Sequence, residues 1–183
     1  TLNIKGNMSS YYLLNNQHKE ILKNWLNSSN IANNKNLNLN LLLKASKDGF
    51  KAEIFKRKCH NKSFTLIVVL TSFDKLIGGF TSLPWKDGKF TYITDYSNRT
   101  FLFSLTNNKK YLMKNPSYAI CHGTDIGPIF GGGSDLEIVN DCNKNYNNFS
   151  SIGHTFEFND SVEDFYGGSK YLVKDYEVYE VKF

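Results

Sequence analysis

From Ser63 to the end of the chain the apolar pattern breaks into short runs rich in β-branched and aromatic residues, separated by turn chemistry. This limits the available folds more than any other feature. Candidate strands are Phe64–Leu70, Lys75–Ser82, Thr91–Thr94, Thr100–Leu105, Tyr118–His122, Ile129–Phe130, Leu136–Val139, Phe156–Phe158, Tyr171–Val173 and Tyr176–Val181. No helical pattern lies between them, and parallel strands need such crossovers, so the strands should pair antiparallel. Alternation of Phe101 and Phe103 with Leu102 and Ser104, and of Val178 and Glu180 with Tyr179 and Val181, fits sheets that bury apolar faces. The expected fold is α+β and β-rich, an antiparallel two-sheet β-sandwich flanked by N-terminal helices. No repeat of solenoid or propeller length is present.

Upstream of Ser63 the period changes. Leu14, Ile21, Leu22, Trp25 and Leu26 recur at helical spacing and predict a helix over Gln17–Leu26, with Lys19, Glu20, Lys23 and Asn24 on its other side. Asn27 to Asn40 is rich in Asn and Ser and reads as a loop. A second helix is predicted around Asp48–Lys58, capped by Ser46 or Asp48, with Phe50, Ile54 and Phe55 on its buried stripe.

Charge is distributed unevenly. The net +5 of the 183 residues comes from residues 1–60, where ten Lys/Arg stand against three Asp/Glu; residues 61–183 carry twelve against fourteen. The densest cluster is Lys56-Arg57-Lys58. Such a field favours encounter with an acidic partner. Nucleic acid is not the expected partner, because no aromatic platforms interleave with the cluster. Asn occupies about two dozen positions, so its N-x-[ST] triplets arise by chance. Three cysteines do not make a disulfide framework. The longest apolar run, Leu66–Leu70, is strand-sized, and Thr1–Lys5 lacks the apolar core of a signal peptide. A cytoplasmic, intracellular chain without a transmembrane segment is the expectation.

Candidate chemistry is sparse. In Gly127–Asp135 the glycines are followed by Ser134-Asp135-Leu136 rather than by the Lys-Ser/Thr and helix of a phosphate-binding loop, so they are expected to serve turns or close backbone approach. Cys59-His60, Cys121-His122, Cys142 and His154 show none of the spacings of a structural zinc site. Cysteine catalysis would require Cys121 or Cys142 beside His154 with Asp141 or Asp135 as orienter, and nothing local fixes that arrangement. Trp85, beside Pro84, suits either an interface anchor or a turn aromatic. No catalytic, cofactor-binding or metal residue is assigned and no cofactor is expected. Lys56, Arg57, Lys58 and Trp85 remain as candidate interaction residues.

The motifs, taken in order, resemble the TLDc domain of the oxidation-resistance protein family. The resemblance is carried by LLLKASKDGF at 41–50, FTLIVV at 64–69, LIGGFTSLPW at 76–85, TFLFSLTN at 100–107, GPIFGGGSDLEI at 127–138, CNKNYNNFSSIGHTF at 142–156 and GGSKYLVKDYEVYEV at 167–181. The Asn-rich 142–150 stretch and GHTF are similar to the branch with varied partner domains. It implies an arm at 1–8 and a domain at 9–183, divided into a leading helix and Asn-rich loop (9–40) and a sandwich core (41–183). It further implies a non-enzymatic protein-interaction domain that binds and regulates the V-type ATPase and contributes to oxidative-stress resistance. The alternatives are a Cys/His-based redox or hydrolytic enzyme, or a module bound in a permanent assembly.

Overall fold

The apolar runs of the second half are buried on both sides, and this arranges the molecule around one central sheet. The computed structural model describes residues 12–29, 31–32, 36–148 and 152–183; the expected arm at 1–8 lies outside them. Six strands form the central sheet: β1 (Asn38–Lys44), β2 (Thr65–Thr71), β3 (Leu76–Thr81), β5 (Phe101–Ser104), β6 (Lys109–Leu112) and β10 (Val173–Lys182). Their order is β1-β10-β2-β3-β5-β6, every pair antiparallel. A four-stranded antiparallel sheet follows the order β4 (Thr91–Ile93), β7 (Ile120–His122), β8 (Ile129–Phe130) and β9 (Leu136–Glu137).

Strand periodicity sends alternate residues of the central sheet into two different cores. Ile67, Val69, Ile77, Leu102, Tyr176 and Val178 pack in one core with Ile120, Phe130 and Leu136 of the smaller sheet. Leu66, Val68, Phe80, Phe101, Phe103, Tyr179 and Val181 point the opposite way, into a second core with Leu22 and Leu26. Covering on both faces explains why β2 reads as an unbroken apolar run. The alternation of Phe101 and Phe103 with Leu102 divides these residues between two interiors, not between interior and solvent.

The helices lie on opposite sides of this sheet. α1 (Asn16–Ser28) starts at Asn15, whose side chain accepts from His18 N at 2.8 Å, and lays Leu22, Leu26 and Trp25 on the second core. The predicted helix over Asp48–Lys58 is instead two pieces, α2 (Ala45–Asp48) and α3 (Ala52–Cys59), the latter packing Ile54, Phe55 and Cys59 into the first core. The break falls at Gly49, where φ is +113° and an added Cβ would stand 2.5 Å from Ile54 Cδ1. Neither expected cap serves α3: Ser46 Oγ donates to Asp175, Asp48 accepts from Lys44 N, and Asn140 Oδ1 accepts from Ala52 N at 2.9 Å.

Several elements differ from the sequence-based expectation. Asn38–Asn40, read as loop because Asn disfavours strands by propensity, opens β1, where β10 supplies the pairing partner. Lys109–Leu112, not anticipated, pairs with β5. Tyr176–Val181 lies within β10, which begins at Val173 and shifts register between Val173 and Asp175; of the expected strand Tyr171–Val173 only Val173 belongs to it, Tyr171 making an isolated bridge to Asn148. Phe156–Phe158 contributes only an isolated bridge from Phe156 to Met113. A short helix, α4 (Val162–Tyr166), is capped by the Ser161–Asp164 pair and buries Phe165 and Tyr166.

Candidate functional site

The glycine-rich segment is held by one buried carboxylate. Asp135 is fully buried; its Oδ1 accepts from Gly153 N (2.6 Å) and His154 N (3.0 Å), and its Oδ2 from Thr155 N (3.0 Å). Burial pushes this carboxyl above the usual carboxylate range, against the opposing pull of those three amides. Its own carbonyl accepts from Tyr166 Oη. Gly131 has φ +85°, and a Cβ there would stand 2.0 Å from Asp135 Oδ2. Gly132 N donates to Thr155 Oγ1 at 2.8 Å, and its bare Cα lies where a Cβ would meet His154 and Tyr118 at 2.8 and 2.9 Å. The glycines therefore permit close approach between two loops and bring no phosphate-cradling geometry.

That approach assembles an aromatic strip beside the smaller sheet. Phe90 meets Tyr92 (centroids 5.4 Å apart), Tyr92 meets Tyr118 (5.3 Å), and Tyr118 meets His154 (5.5 Å), all edge to face. Tyr92 Oη donates to Gly132 O at 3.0 Å, tying the strip to the glycine loop. Phe90 is 59% exposed and Tyr118 36%. Tyr96, on the loop from β4 to β5, is 94% exposed. Register places Tyr92, Cys121, Ile129 and Glu137 in one row across the four strands.

The strip continues towards α3. A Cβ on Gly123 would lie 3.7 Å from Phe90 Cα, and Gly123 shares a shallow pocket with Lys56, His60, Trp85, Lys86 and Asp87. Asp87 sits 3.3 Å from His60 Nδ1 and 3.9 Å from Lys56 Nζ. Lys58 is paired with Asp48 at 2.8 Å, whereas Arg57 is exposed and has no acidic partner among the described residues. Of the Lys56-Arg57-Lys58 cluster, Arg57 therefore presents its charge most openly. Trp85 is buried: Nε1 donates to Thr65 Oγ1 at 2.8 Å, and the ring packs edge-on against Phe55 and Phe130. Its contacts are those of a core aromatic that supports the face from below.

The soft ligands are not poised for chemistry. Cys59, Cys121 and Cys142 are all free and buried. Burial pushes the Cys59 and Cys142 thiols up to about 12 and the Cys121 thiol upward, opposite to what a thiolate nucleophile needs. His154 approaches Thr155 Oγ1 (Nδ1 at 3.2 Å) and the Tyr118 ring, and among the described residues no Cys–His–Asp arrangement forms around it. His122 Nε2 lies 2.9 Å from Pro84 O, and burial lowers its pKa. The described residues contain no group of three or more His, Cys, Asp or Glu arranged to hold a metal ion. They also contain no helix long and apolar enough to cross a membrane.

The sequence singled out the basic cluster but not the aromatic strip. Its members are scattered over Phe90, Tyr92, Tyr118 and His154, and only the pairing of β4 with β7 and the Asp135-anchored loops bring them together. A family model, that of the TLDc domain, matches residues 8–182. No curated protein matches the chain. The TLDc family is associated with oxidative-stress resistance, and its domain is of a protein–protein interaction type. The match covers nearly the whole chain and agrees with the two-sheet architecture, so the chain belongs to the TLDc domain family.

Proposed function

We propose that this chain is a non-enzymatic, cytoplasmic protein-interaction domain that docks on and regulates the V-type ATPase, and through that contact contributes to oxidative-stress resistance. The observation that carries the reading is the aromatic strip of Phe90, Tyr92 and Tyr118, whose Phe90 lies beside Gly123 of the pocket lined by Lys56 and Asp87. Exposed aromatics such as Phe90 and Tyr118 are side chains that protein interfaces favour. The buried, protonated thiols support a binding role over a cysteine-based reaction. The choice of the V-type ATPase rests on the family resemblance, and the surface is compatible with any large protein partner.

Affinity purification from native cells tests the reading, with the unaltered domain beside a Phe90→Ser/Tyr118→Ser variant. Pump subunits should co-purify with the former and be depleted with the latter. Recovery of the domain with no pump subunit would remove the named partner. Equal recovery with both baits would remove the aromatic face as the contact.

A further inference from the structure

We infer that β1 is a docking edge for an extended, acidic segment of a protein partner, which adds as a seventh strand to the central sheet. This goes beyond the proposed pump-binding face, and rests on that reading only in taking a protein as the occupant.

The edges of the two sheets are treated differently. β4 and β9 are three and two residues long, and β6 carries Lys109 and Lys110, the usual devices against edge pairing. β1 runs for seven residues, and Asn38–Leu43 contains neither charge nor proline. Its one charged residue, Lys44, is turned inward to Asp175 (2.8 Å) and Glu177 (2.7 Å).

The direction of the unpaired groups follows from the register. Val181 N donates to Phe64 O at 2.7 Å, on the side of β10 away from β1, and Tyr179, two residues earlier, has the same orientation. Their partners in β1, Leu39 and Leu41, therefore aim N–H and C=O outward, away from β10. Lys44, opposite Glu177, obeys the same parity, and its N–H is taken by Asp48 Oδ2 at 2.9 Å. Leu39 and Leu41 have no such partner among the described residues. Two donors and two acceptors at i and i+2 match the ladder that an incoming strand requires.

The walls of the groove select the occupant. Leu39 and Leu41 lie beside Tyr12 and Tyr179, and Lys19 and Lys23 of α1 stand over the same groove, with Glu20 as its one acidic side chain. Neither lysine has an acidic partner among the described residues. Leu39, Leu41 and α1 share one face of the sheet, so an extended segment alternating acidic and apolar side chains would set its acidic residues on that face, under the lysines, and turn its apolar residues to the opposite face.

The probe is a synthetic peptide of alternating valine and glutamate, about eight residues long, a typical strand length. Binding is read by fluorescence anisotropy and located by amide hydrogen exchange. Protection should appear at Leu39 and Leu41. N-methylation of the peptide amides that face β1 should weaken binding at least about tenfold on the unaltered protein, which needs no variant to fold. Leu41→Pro should weaken it similarly while leaving pairing to β10 intact. Lys19→Glu/Lys23→Glu should lose the glutamate peptide and gain its lysine counterpart. Equal affinity for the N-methylated peptide, protection elsewhere, or capture of phosphatidylserine vesicles or RNA at this edge in place of the peptide would each overturn the inference. A pull-down that recovers no pump leaves all of these measurements unaffected.

Discussion

Asp95 closes the connection from the smaller sheet to the central one, and replacing it with Asn is the sharpest perturbation of how the exposed face is built. The residue is 1% exposed. Its Oδ1 accepts from Ser97 N (3.0 Å) and Ser97 Oγ (2.5 Å); its Oδ2 accepts from Arg99 N (3.0 Å), Thr100 N (2.8 Å) and Thr100 Oγ1 (2.7 Å). Burial would raise this carboxyl, but the five donors outweigh it and hold the pKa below the ordinary 3.8. Asn keeps one acceptor oxygen. Its best placement retains the three bonds from Arg99 and Thr100, now without charge assistance, and turns an NH2 towards Ser97 N. Ser97 is exposed, so water can satisfy its amide. Ser97 Oγ can reverse to accept from that NH2, so three bonds lose charge assistance, one is reversed and the bond from Ser97 N is lost, a cost of about 2–3 kcal/mol. For a chain of this size that lowers Tm by roughly 4–12 °C.

The pH dependence has a fixed sign. A depressed carboxyl stabilises the fold above its unfolded-state pKa, and that contribution is lost as pH falls through the folded value. Thermal unfolding followed by circular dichroism should therefore show a gap between wild type and Asp95→Asn that is full at neutral pH and narrows below about pH 4. A loss under about 0.5 kcal/mol at neutral pH, the level expected of a featureless surface site, would refute the assignment. So would a gap that stays constant into acid.

Lys44→Met leaves Asp175 and Glu177 without their shared cation in the interior, and should cost about 3–5 kcal/mol in urea denaturation. Burial works against the Lys44 ammonium but the two carboxylates prevail and raise its pKa, so the wild-type contribution should persist to pH 10.5 and fall only above it. Gly131→Ala forces a side chain into φ +85° and onto Asp135; a loss of about 2–4 kcal/mol is expected, measured as a drop in urea midpoint at unchanged slope. The three cysteines should react with iodoacetamide at neutral pH far more slowly in the native chain than in denaturant, and fast native labelling of any one would contradict its burial.

Much of the strand inventory was legible because β-branched and aromatic runs such as Thr65–Thr71 have few conformations other than extended ones in which they pack well. What was not legible had one cause: local chemistry that pointed elsewhere. Asn38 and Asn40 favour turns, yet they lie in β1 because β10 completes their ladder. The helix pattern across 48–58 ignored Gly49, whose positive φ lets α2 and α3 separate. Trp85 beside Pro84 looked equally suited to a surface or a turn, and Thr65, Phe55 and Phe130 decided for burial.

By itself, then, the sequence determined that the chain forms a β-rich, antiparallel, two-sheet fold with helical structure at its N-terminal end, because period and turn chemistry are local properties. It also determined that positive charge is concentrated in the first third. The tertiary structure alone decided that the two helices cover opposite faces, that Lys58 is neutralised by Asp48 while Arg57 is not, and that Phe90, Tyr92, Tyr118 and His154 form one strip. Those outcomes depend on register and on buried groups such as Asp135 and Asp95. Their partners are set by how distant segments meet, which no local pattern encodes.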